Sequence, residues 1–246
     1  MLAVHRDGIE ALAGFGPAAD PELWSRQVCG MWTGGELAGH VLQVSRWYHQ
    51  WLDRAEAGES DPPFPAKQLA TQNQQALNSL PLSSGPERLA TFRRSAVDYT
   101  QRLEGTWDLP YGFPSGTVTA GQHAAVAAME WHAHAWDLAR ASGADHRPVD
   151  PDTLLEAVVD AWSGRHGAVR RVVGRSASPV VRRVVGDPWP FLLRNTGRHA
   201  LPRTRNGPAS RRTPVRAPGG SDQARYSESS CTIWPLPLAP MRRLAS

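Results

Sequence analysis

Lysine is almost missing from this chain of 246 residues: Lys67 is the only one among 27 basic side chains. The rest are arginines, a bias that fits a high-GC coding sequence better than any particular function. Cysteine is scarce as well. Cys29 and Cys231 lie far apart, which excludes the disulfide framework of a small secreted domain and fits a reducing cytosol. No apolar run approaches the about 18 residues a membrane helix needs, and the mean hydropathy is −0.42. The N-terminal stretch MLAVHRDGIEALAGFG lacks a basic segment followed by an apolar one, so no secretory signal is read and a cytoplasmic location is expected. Alternation of period two is absent from the first 164 residues, as is any internal repeat. No Ser-His-Asp or Cys-His pattern points to a protein nucleophile.

Charge is present but unevenly spread. Residues 1–164 carry 11 basic and 20 acidic side chains, net −9, whereas residues 165–246 carry 16 and 3, net +13. The formal charge of +4 therefore belongs to the second part alone. From Pro188 onward Pro, Arg, Ser and Gly dominate and helix signals vanish. Such a composition buries too little apolar area to offset chain entropy. Residues 165–246 are thus expected to be an Arg/Pro-rich tail, largely disordered or a degenerate C-terminal region. That tail lacks interleaved aromatics and any recognisable nucleic-acid motif, so specific nucleic-acid binding is not expected. With 41% hydrophobic residues overall, a sizeable core is available to residues 1–164.

Within residues 1–164 the helix starts are explicit. Thr33-Gly34-Gly35-Glu36, Ser84-Gly85-Pro86-Glu87 and Thr119-Ala120-Gly121-Gln122 are three capping boxes: a hydroxyl takes an orphan backbone N–H while the residue three positions on reaches back. The first opens a helix with Leu37, Val41, Val44, Tyr48 and Trp51 at helical spacing, ending near Gly58. The second runs to about Leu103, and the third spans about 119–142. A shorter helix is read over 66–80, and Asp150-Pro151 caps another that ends near Trp162. Residues 105–116, with three aromatics and two prolines, read as a loop. The fold class is all-α, a helical bundle followed by the basic tail.

The segment AAMEWHAHAWDLARASG carries the chemistry. Glu130 and His134 are four apart and share a helix face, where a carboxylate and an imidazole can converge on one point. Alanines 124, 125, 127, 128 and 133 keep that helix slim. Burying both groups is costly unless a divalent cation compensates them together. His40, on the apolar side of the first capped helix, is the third candidate. Two His and one Glu would leave a fourth position open, the catalytic rather than the structural pattern for zinc. Each residue also has an ordinary reading: His40 as a satisfied core histidine, Glu130 and His134 as a solvated i,i+4 pair. His132 is expected to face outward, His123 to lie behind the ligands, and His49 to sit more than two turns from His40. Asp137 is read either as a hydrogen-bond partner of a ligand imidazole or as a surface aspartate. Cys29 is read as a buried, inert thiol or an activated one.

The pieces VCGMWTGGELAGHV and EWHAHAWDLARASG, about 90 residues apart, resemble the mycothiol-dependent maleylpyruvate isomerase family, part of the DinB-like group of metal-binding four-helix bundles. The similarity covers roughly residues 20–145. The first turn reads Cys29-Gly30-Met31-Trp32, without the proline usual in that family. The resemblance implies His40, Glu130 and His134 as ligands of a divalent metal, zinc above all. It also implies mycothiol as thiol cofactor and a small electrophile as substrate of an isomerase or S-transferase. A catalytically inactive metal-binding module or sensor of the same fold is the alternative.

Overall fold

The computed structural model describes residues 1–18, 20–30, 32–163 and 186–198. Four long helices form the bundle: α1 (Leu2–Ala13), α3 (Gly34–Glu56), α5 (Gly85–Thr106) and α6 (Ala120–Ala141). α3 lies along α5, and α1 packs against both α5 and α6. Two short helices, α2 (Phe15–Ala18) and α4 (Leu69–Asn78), flank it; α2 lies against α5 and α4 against α3. Strands are short and antiparallel. β1 (Gln27–Cys29) pairs with β2 (Trp32–Thr33), and β3 (Pro110–Phe113) pairs with β4 (Gly116–Thr119). The fold is all-α, as the sequence pattern predicts.

All three capping boxes form with both arms in place. Thr33 takes the Glu36 amide at 3.2 Å while the Glu36 carboxylate accepts from the Thr33 amide at 2.7 Å. Next to it, Gly34 donates its amide to the Arg26 carbonyl at 3.0 Å. A Cβ at Gly34 would lie 2.4 Å from the Leu23 carbonyl oxygen, so only glycine lets α3 start this close to the preceding turn.

α6 is the centre of the molecule. From Ala120 to Ala139 every residue except Gln122 is buried. One side of it packs into the bundle core with Leu37, Phe92, Tyr99 and Leu103. The other side faces a second apolar layer built by α7 (Pro151–Ser163) and α8 (Pro188–Asn195), including Leu154, Val158, Trp189 and Leu192. A helix buried all round has no polar face to offer, which explains its alanines: small side chains let neighbours approach from every direction.

Three expectations need correction. Within residues 105–116, read as a loop, Pro110–Phe113 is a strand that forms a hairpin with Gly116–Thr119, and Tyr111 and Phe113 are buried. Pro188–Asn195 is helical despite its composition, with Asp187 capping the Trp189 amide and Pro188 in the first turn. His132 faces inward, because α1 and the second apolar layer cover the side of α6 that one-sided packing would leave in water. Its Nε2–H donates to the Val4 carbonyl at 3.1 Å, and its ring stacks on His146. The other stretches on which the disordered-tail expectation rests, 164–185 and 199–246, lie outside the described residues.

Candidate metal centre

His40 sits two turns into α3, on the stripe of Leu37, Val41, Val44 and Tyr48 that faces the core. Glu130 and His134 are one turn apart in the middle of α6. Both helices begin at a capping box, so the axial position of each side chain is set by a defined first residue. The packing brings the three together: His40 Nε2 lies 3.2 Å from Glu130 Oε1, and His134 Nε2 lies 4.0 Å from the same oxygen. One donor atom from each residue falls within 4.8 Å of the others. All three are buried, with exposures of 2%, 5% and 0%.

Each member is oriented from behind. The Tyr48 hydroxyl donates to Glu130 Oε2, leaving Oε1 for the histidines. The Trp32 ring lies against the His40 ring at 4.5 Å between centroids. His134 Nδ1 lies 3.0 Å from Asp137 Oδ2, and Arg198 grips Asp137 through two bonds of 2.8 and 2.6 Å. His134 Nε2, facing the other two residues, is buried and has no hydrogen-bond partner.

The electrostatics follow from burial and proximity. Burial pushes the Glu130 carboxyl upward, but the hydrogen bond and charge of His40, then His134 and Tyr48, outweigh it and hold the carboxyl below the usual range. Burial is also the chief reason the His134 imidazole is held below its ordinary value, against the pull of Asp137. Burial and the Glu130 charge push the Tyr48 phenol well up, so it remains a neutral donor. At neutral pH the cluster thus holds an ionised carboxylate and a neutral His134, the forms that ligate metals.

An orphaned, buried imidazole nitrogen aimed at a carboxylate is the best test of whether a cation fits. Left unmade, a buried polar contact of this kind costs about 1–3 kcal/mol. A tetrahedral site with bonds of about 2.0–2.1 Å sets its donor atoms roughly 3.3 Å apart, close to the 3.2 and 4.0 Å found here. The residues fit the group. A second grouping, Cys29 with His134 and Asp137, is equally close. It fits less well, because both Asp137 oxygens are taken and the Cys29 sulfur is already covalently engaged. The free, reduced thiol expected at Cys29 is therefore not what the structure has.

The other histidines fall elsewhere. His123 accepts or donates at the Tyr99 hydroxyl, 2.9 Å away, and stacks on Tyr111 at 4.2 Å, inside an aromatic cage beside the cluster. His49 is turned to α5, where its Nε2–H donates to the Ser95 carbonyl. Asp137 proves buried beneath His134, the first of its two readings. Two residues escaped the sequence reading. Tyr48, eight residues after His40, was legible as core, and only its position two turns on marks it as a neighbour of the ligands. Arg198 carries no sequence signal at all.

A helical bundle with a two-histidine, one-carboxylate cluster between two of its helices is the class of protein defined here. Residues 5–139 match the family model described as mycothiol maleylpyruvate isomerase N-terminal domain, a little over half of the chain, and the protein belongs to that family. No curated protein and no solved structure gives a match.

Proposed function

We propose that His40, Glu130 and His134 hold a divalent metal ion, zinc most readily, in a mycothiol-dependent isomerase or S-transferase acting on a small electrophile such as an activated alkene. The observation that carries this reading is the buried, partnerless His134 Nε2 beside the Glu130 carboxylate and His40. Two histidines and one carboxylate are permissive, and metal availability decides among zinc, nickel, iron and manganese. When bound, such an ion supplies Lewis acidity at an open position, enough to hold a thiol as thiolate near neutral pH.

The chain's own residues prepare that position. Tyr48 occupies one Glu130 oxygen and so directs the other toward the histidines. Asp137 takes the proton side of His134 and leaves the Nε2 lone pair facing inward. The bundle core around the cluster excludes water, which strengthens each of these interactions. No protein nucleophile is required, in keeping with a sequence that shows none. A metal-binding module without turnover is the second reading, favoured by a family match confined to an N-terminal domain.

Mycothiol added to the cobalt-substituted protein separates the two. The expected result is a new thiolate-to-cobalt absorption band that saturates with thiol and disappears on its removal. An unchanged spectrum at millimolar mycothiol would rule out the thiol-dependent reading and leave the inert module.

A further inference from the structure

Arg198 follows α8 and lies far outside the residues that match the family model, yet its side chain is buried against α6 with 7% exposure. Its guanidinium forms a fork on Asp137, Nε to Oδ1 at 2.8 Å and Nη2 to Oδ2 at 2.6 Å. Asp137 Oδ2 also lies 3.0 Å from His134 Nδ1. Arg198 Nη2 comes within 3.3 Å of that same nitrogen. A guanidinium has only donors. If His134 carried its proton on Nε2, a lone pair on Nδ1 would face the Asp137 carboxylate at 3.0 Å and a proton would point at the cluster. With the proton on Nδ1, Oδ2 accepts from both His134 and Arg198, the 3.3 Å approach of Nη2 to Nδ1 is a contact between two donors sharing that oxygen, and only the Nε2 lone pair, facing the cluster, is left without a partner.

We infer that Arg198 is a positioning residue for the metal centre: by clamping Asp137 it fixes His134 as the Nδ1–H tautomer and presents the Nε2 lone pair to the cluster. The inference rests on the proposed metal site, but the tautomer it specifies exists with or without a metal. The C-terminal segment 186–198 thereby becomes part of the centre. A second ionic anchor of the segment, the exposed fork between Arg147 and Asp187, involves neither His134 nor Asp137 and serves as a control for docking alone.

Two measurements on the full chain test this: the 15N resonances of labelled histidine in metal-free protein, and zinc affinity by chelator competition. Wild type is expected to show His134 as the Nδ1–H tautomer. Arg198→Gln is expected to show a mixed tautomer and to bind zinc about 10–100-fold more weakly, the usual penalty for losing an outer partner of a ligand histidine. Arg198→Lys, which keeps the charge but not the fork, should fall between them, and Arg147→Gln should match wild type in both. If Arg198→Gln fails to fold by circular dichroism, the lysine variant decides. An unchanged tautomer, or a changed tautomer with unchanged zinc affinity, overturns the inference. Wild type that takes up no zinc defeats the metal site instead, a result separate from the tautomer.

Discussion

Glu130 is an ionised carboxylate in a nearly dry interior, and its partners make that tolerable. Hydrogen bonds to charged groups contribute about 1.5–3 kcal/mol, so Tyr48→Phe is expected to lower the stability of the metal-free protein by an amount in that range, read from chemical denaturation. His5 shows the opposite solution, a histidine kept neutral. The Trp131 indole N–H donates to His5 Nε2, which leaves His5 Nδ1–H to donate to the Thr100 hydroxyl. Burial, chiefly, lowers its pKa to about 3. Below pH 6.5 the unfolded chain takes up a proton that the native state refuses, so stability falls as pH drops toward 3 by about 1.4 kcal/mol per unit for this one group. His132, lowered to about 4 by burial and His146, adds a loss of the same sign. Denaturation between pH 6.5 and 5 should therefore show a slope that becomes shallower by about one proton in His5→Gln. An identical slope would mean that His5 titrates normally in the folded protein.

At the level of elements, the starts of α3, α5 and α6 were legible because capping chemistry is local: a hydroxyl and a carboxylate or amide three residues apart need nothing from the rest of the chain. Thr33→Ala removes the box ahead of His40 and is expected to cost about 1 kcal/mol, with a midpoint shift in urea as the check. The Glu130 and His134 face of α6 was legible for the same reason, since four residues make one turn. What could not be read depends on long-range covering. The β3–β4 hairpin is held by Tyr111, whose hydroxyl donates to the Tyr48 carbonyl at 3.1 Å, and by the close approach of Gly112 to Asp61. Neither contact leaves a local pattern. Helical periodicity alone puts His132 on a face in water, whereas α6 is enclosed on both sides.

Among the described residues, the acidic first part and segment 186–198 of the basic second part meet at α6. The contact between Asp137 and Arg198 joins a residue of the family domain to the segment beyond it. Composition alone assigned that segment to a structureless tail, because eight helical residues and one buried arginine are too few to alter an average. Among the described residues no helix is long and apolar enough to cross a membrane. If a divalent ion is held between α3 and α6, it ties together two helices that otherwise pack chiefly on α5 and α1, and its binding must add to global stability by mass action. Zinc at about 100 times its dissociation constant should raise the unfolding free energy by about 2.7 kcal/mol. The most direct measurement is the metal content of zinc-loaded, buffer-exchanged protein, wild type beside His134→Ala. Wild type is expected to retain roughly one ion per chain and the variant to retain almost none; a metal-free wild type, or a variant that keeps a full complement, would contradict a centre built on His40, Glu130 and His134.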